Sequence, residues 1–164
     1  MPTPVFLSLS GQSQGAIEGS STVTDREGQV EVLAFEHVVE IPPRRGSGVP
    51  YGKPVHGQVR IKKWLDRATP RLYQALLEEE PLAEALFTWY HFNASGQEEV
   101  LYTVRLENGR ITRMQPWMPE TFDPHSDHAW HMEAVSFAYE KIIWSWGPGG
   151  EVEFEDTWRS GEGG

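Results

Sequence analysis

The stretch EAVSFAYEKIIWSW, Glu133 to Trp146, decides how the chain is read. Its first half alternates, with Val135, Phe137 and Tyr139 on one side and Ala134, Ser136 and Ala138 on the other. Such period-two alternation marks a half-buried strand. Past Lys141 the large residues change parity, to Ile142, Trp144 and Trp146. Read as one strand with a β-bulge near Lys141 and Ile142, it carries bulky apolar side chains on both faces. One face fills a core. The other predicts a surface covered by a neighbouring subunit, with Ile142, Trp144 and Trp146 in it. The competing reading is cover by the chain's own helix, loop or tail.

The same period runs through most of the sequence. VEVLAFEHVVEI puts Leu33, Phe35, His37, Val39 and Ile41 on the core side and Val32, Ala34, Glu36 and Val38 on the outward side, until Pro42 and Pro43 end the strand. HGQVRIKKWLD places Val59, Ile61 and Leu65 on the core side, and Arg60, Lys62 and Trp64 opposite. Further strands are predicted in FLSLSG, LAEALFTWYHF, EEVLYTVRLE and RITRMQPW. Asn108-Gly109 between the last two predicts a tight hairpin, because its turn needs φ > 0 at both central residues.

One helix is predicted in TPRLYQALLEEEP, with Thr69 as N-cap, Pro70 in the first turn and a stripe of Leu72, Tyr73, Leu76 and Leu77. Glu78, Glu79 and Glu80 oppose the helix dipole, which predicts fraying or a partner cation. The pattern as a whole is mainly β: a small antiparallel β-barrel over residues 1–146 with one short flanking α-helix. Residues 147–164 form a Gly-rich acidic C-terminal tail. The Pro- and Gly-rich loop 42–55 is long for a compact domain, which points to a functional role.

Composition removes several functions. The chain has 164 residues, a net charge of -10 and no cysteine. Scattered basic residues in an acidic chain disfavour nucleic-acid binding, and no apolar run approaches a membrane helix. Thiol catalysis and cysteine metal sites are excluded. The opening MPTPVFLSLSG lacks the basic and long apolar regions of a secretory signal, so the expected compartment is the cytoplasm.

Three groups of residues invite chemistry. PHSDHAWHME holds His125, His128 and His131 with Asp123, Asp127 and Glu133 nearby, a possible metal set for a hydrolase. Three-residue spacing gathers ligands only on a helix, and Pro124 and Ser126 argue for a loop. His37 and His56 form a possible acid–base pair, but a strand histidine is more often a satisfied core group. Seven tryptophans suggest a small-ligand barrel, against which stands their use in a core or an interface. Trp64, Trp144 and Trp146 lie off the core parity, which favours the interface. No catalytic, cofactor or metal residue is assigned.

Taken in order, FEHVVEIP, PVHGQVRIKK, TPRLYQAL, EEVLYTVRLENGRI and EAVSFAYEKIIW, with the opening MPTPVFLSLSGQSQGAIEGS, resemble the haemolysin-coregulated protein family, the tube subunits of the bacterial type VI secretion system. The resemblance runs from residue 1 to about 146. It implies a homo-hexameric ring, rings stacked into a hollow inner tube, a contractile sheath that expels it, a spike protein, and effectors carried or chaperoned in the lumen. It implies no enzyme activity and no cofactor, and export without a signal peptide. The segment between Thr24 and Val32 is shorter than in many relatives, and the tail past Trp146 is too short for a fused toxin. On this reading Ile142, Trp144, Trp146 and Trp64 meet a neighbour in the ring. Val32, Ala34, Glu36 and Val38 face the lumen. Arg44, Arg45 and Lys53 serve ring stacking against the acidic tail.

Overall fold

A computed structural model describes residues 3–43, 45–46, 48–49, 52–126 and 130–158. The strands are β1 (Val5–Gly11), β2 (Gly15–Ala16), β3 (Val30–Glu36), β4 (Val39–Glu40), β5 (Val55–His56), β6 (Val59–Trp64), β7 (Leu82–Phe92), β8 (Glu98–Glu107), β9 (Arg110–Trp117), β10 (Met132–Ala138), β11 (Lys141–Trp146) and β12 (Val152–Thr157). The helix α1 spans Thr69–Leu77. Ten strands make one antiparallel sheet in the order β12-β11-β8-β7-β1-β3-β6-β10-β9, with β2 beside β1. β4 and β5 pair with each other as a separate two-stranded arm.

The decisive stretch is two strands rather than one. β10 ends at Ala138, Tyr139 and Glu140 turn a corner, and β11 begins at Lys141. β10 pairs with β6 and β9, whereas β11 pairs with β8 and β12. The sheet therefore curls, because two strands near its opposite ends are joined by a two-residue corner. Phe137 of β10 meets Phe87 of β7 edge to face, with ring centroids 5.7 Å apart. The parity change that reads as a bulge is this corner: Phe137 points inward before it and Ile142 after it. Ile142 is 0% exposed, so the expectation that a neighbour covers it is overturned.

Asn108-Gly109 departs from expectation in the same way. Asn108 takes a positive φ of 49° and Gly109 does not, so the mirror-image hairpin turn is not formed. β8 runs on beside β11, and β9 crosses to pair with β10. Both corners pass the chain between the two sides of one core. That core holds Leu7, Val30, Val59, Ile61, Leu106, Val135 and Phe137, all nearly inaccessible.

β3 carries a real bulge. Val32 pairs with Lys63 and Ala34 with Lys62, which leaves Leu33 as the extra residue. Val32 thus falls inward with 1% exposure, and Leu33 outward with 37%. This corrects the outward placement of Val32, while Ala34, Glu36 and Val38 are exposed as expected. In β6, Lys63 takes the inward position, and Leu65, expected in the core, is 40% exposed.

Lys63 is held by a buried set of partners. Its ammonium donates to Glu133 Oε1, to Asp66 Oδ1 at 2.9 Å and to the Trp64 carbonyl at 2.8 Å. Thr69 does not act as the N-cap. Its hydroxyl donates to Glu133 at 2.8 Å, and Asp66 accepts the Ala68 N–H instead. The helix stripe is Ala68, Leu72, Ala75 and Leu76, and Leu77 is 78% exposed. At the other end, Glu79 takes φ +51° and swings Glu80 back into the protein. The partner of Glu80 is not a cation: its Oε1 accepts the backbone N–H groups of Ser13 and Gln14. The acidic tail supplies β12, an edge strand along β11.

Candidate functional site

The histidine loop yields no metal centre. His125 and His131 are exposed, and Asp127 and His128 lie outside the described residues. Glu133, the nearest carboxylate in the strand, is bound to Lys63. Among the described residues no group of three His, Asp or Glu is placed to hold a metal ion.

His37 and His56 are brought together. His56 Nε2 lies 2.7 Å from Asp156, and its Nδ1 lies 2.7 Å from the Tyr139 hydroxyl. His37 Nε2 reaches the same hydroxyl at 2.8 Å. A carboxylate only accepts, so His56 donates to Asp156, and the Tyr139 hydroxyl bridges the two imidazoles. Burial, then the Asp156 charge, pushes the phenol pKa far up, so Tyr139 keeps its proton. Burial, then His56, lowers the pKa of His37. Trp144 and Trp158 flank His56, stacked at 6.4 and 5.3 Å. The chain joins the root of the arm (His37 and His56), the β10–β11 corner (Tyr139) and the tail strand (Asp156). It ties those three pieces together.

The ligand-barrel alternative needs an interior space. Along the axis of the curled sheet stand Phe35, Phe87 and Phe137, with Phe35 and Phe87 centroids 5.2 Å apart. Among the described residues these rings and the aliphatic core around them occupy the interior.

Surplus apolar area lies outside instead. Trp144 pairs across with Phe154 and Trp146 with Val152, so these four share one face. Trp144 is half-buried, whereas Trp146, Val152 and Phe154 are 52%, 67% and 69% exposed. The sequence reading picked out Trp144 and Trp146 and missed Val152 and Phe154. The signal was the alternation in EVEFED, hidden by the acidic residues around it. Trp64 is half-buried and stands apart from this face, beside Trp130. The arm exposes Val38, Val39 and Ile41, and also Arg45 and Lys53. Arg44 lies outside the described residues.

A filled core, an apolar outer sheet edge and a projecting arm define a β-sheet subunit whose outer surfaces suit contact with other chains. A protein-family model described as "Type VI secretion system effector, Hcp" matches residues 6–146, and the chain belongs to that family. It is 37% identical to the major exported protein of Pseudomonas aeruginosa over 169 residues, covering 98% of each. Among solved structures it is similar to a variant of Hcp1 from E. coli EAEC 042 pathovar, with TM-score 0.84, 34% identity, and 96% and 99% of the two chains covered. The secreted protein Hcp3 from Pseudomonas aeruginosa matches with TM-score 0.76 and 32% identity over 96% and 99%. The chain is thus a member of an exported, type VI secretion protein family with a mainly β fold, and no described helix is long and apolar enough to cross a membrane.

Proposed function

We propose that this chain is a non-catalytic structural subunit of the type VI secretion inner tube. Six copies form a ring, rings stack into a hollow tube, and the tube is expelled by a sheath together with a spike protein and effectors. Assembly takes place in the cytoplasm and ends in export. The observation that carries this reading is the exposed face of Trp146 with Val152 and Phe154 of the neighbouring edge strand, in a member of this family. Fully burying a large apolar side chain contributes about 1.5–3 kcal/mol, and a ring repeats the contact at every seam. The seam therefore combines Trp144 and Trp146 with Val152 and Phe154.

The outward face of β3 and β6 is assigned to the lumen. There Ala34 lies beside Lys62 and Glu36 beside Arg60, with Val38 following. Small and charged side chains of both signs make a wall that carries unlike cargoes without sticking to one. The arm is assigned to ring stacking through its exposed Arg45 and Lys53, with Arg44, outside the described residues, as a third basic group beside them in sequence.

The test is Phe154→Glu and Trp146→Glu, each measured by native mass and circular dichroism. Both variants should keep a folded, cooperatively melting subunit, lose the six-fold mass and lose secretion. Full rings in both variants would place the seam elsewhere. A wild-type protein that stays monomeric at every concentration would end the tube reading.

A further inference from the structure

The hairpin of β3 and β6 has the arm at one end. β3 stops at Glu36, β6 starts at Val59, and β4 and β5 lie between. At its other end is a cleft of about 340 Å³, lined by Glu31, Trp64, Leu65, Asp66, Trp130 and two serines. Glu31 and Glu36 are five residues apart on β3, so the two ends stand roughly 16 Å apart before the arm adds its own length.

The cleft has two kinds of wall. Trp64 is half-buried and Trp130 is 63% exposed, so indole surface is open to solvent. Glu31 brings a carboxylate to the same hollow, and Asp66, whose carboxylate is already paired with Lys63, lines it too. Of the basic groups nearby, Lys63 is buried against Glu133 and Asp66, and Arg67 lies 3.5 Å from Glu18 on the open surface. An aromatic face beside a carboxylate suits a guanidinium or an ammonium group.

We propose that this cleft receives a basic side chain of the arm, Arg45 or Lys53, from a second copy of the chain in the next ring. The inference rests on the tube reading and names the receptor for the arm. Arg45 and Lys53 are exposed. Donor and receptor lie at opposite ends of one hairpin, so the contact is head-to-tail and cannot close on a single pair of rings. An open-ended stack requires that geometry. The acidic tail is the weaker receptor. Its Asp156 holds His56 at the arm's own root, Glu155 lies 3.0 Å from Lys141, and Glu153 accepts from Ser145.

The chain has no cysteine, which allows a clean crosslink. Ser20, exposed and on the cleft wall, is changed to Cys, and Lys53 on the arm is changed to Cys. A disulfide needs Cα atoms within about 7 Å, so these two positions bond only between copies. Concentrated rings carrying both changes should give a covalent ladder on oxidation, and either single variant should stay uncrosslinked. Adding Glu31→Lys or Trp130→Ala should remove the ladder while leaving ring mass intact. Intact rings with no ladder, a ladder indifferent to both added changes, or dimers from either single variant would each overturn the cleft as receptor. Loss of rings from the unsubstituted protein would instead bring down the tube reading, and this inference with it.

Discussion

Lys63 and Glu133 are the residues whose roles the structure changes most. Each is fully buried, and each faces the other across β6 and β10. Removing one member of such a pair strands a charge and costs about 3–5 kcal/mol, whereas an apolar pair of similar volume is often neutral. Lys63→Met should therefore be strongly destabilising, and Lys63→Met with Glu133→Leu should recover most of the loss in urea denaturation. A double variant as unstable as the single one would mean that the pair contributes more than charge balance. His37 supplies a pH test. Its pKa is held down first by burial and then by His56. A depressed base protonates in the unfolded chain before the folded one. Its contribution is thus whole above the unfolded value of about 6.5 and is lost as pH falls from that value through the lower folded one. The stability gap between wild type and His37→Gln should narrow between about pH 7.5 and pH 5.5. A constant gap would show that His37 does not titrate in this window.

The elements were legible where one period persists. β7 from Ala85 to Trp89 and β8 from Tyr102 to Leu106 keep one period and were readable, as was α1 from its proline and leucines. Breaks in phase were not. The bulge at Leu33 and the corner at Tyr139 and Glu140 each reverse which parity points inward, and alternation alone cannot tell a bulge from a corner. The helix end shows a second kind of miss. Three glutamates at a helix C-terminus suggest repulsion, yet the left-handed Glu79 turns Glu80 toward the backbone amides of the β1–β2 turn. Burial raises its pKa, but hydrogen bonds from the Gln14 side chain and from the Gln14 and Ser13 amides outweigh it and lower the value. The clamp depends on a missing side chain: a Cβ at Gly11 would stand 2.6 Å from Glu80 Oε2. Gly11→Ala should displace the carboxylate and lower stability by about 1–3 kcal/mol. A change below roughly 0.5 kcal/mol, the scale of a neutral surface substitution, would mean that Glu80 relaxes without loss.

At the scale of the whole molecule, seam and stacking contacts rest on different forces. The proposed seam is apolar, and the proposed arm contact is charged. Exposed ion pairs contribute about 0–1 kcal/mol each, and the screening length shortens from about 8 Å at 0.15 M salt to 3 Å at 1 M. Raising salt should therefore release tubes into rings before rings come apart, as followed by sedimentation. Rings that dissociate first would place the charged contact in the seam.

What the sequence determined by itself was the class: an antiparallel β protein with one helix, no thiol or membrane-helix chemistry, and family motifs in family order. Those properties are written in local period and in residue type, which no distant contact can alter. Only the tertiary structure decided which tryptophan is covered, which strand Asn108-Gly109 leads to, and why a lysine sits in the core. Ile142 and Trp146 belong to one six-residue strand of one parity, yet the first is sealed by the curl of the sheet and the second stands past its edge. Burial is set by what the rest of the chain brings to a face, and the corners that bring it carry too few residues to announce themselves in a pattern.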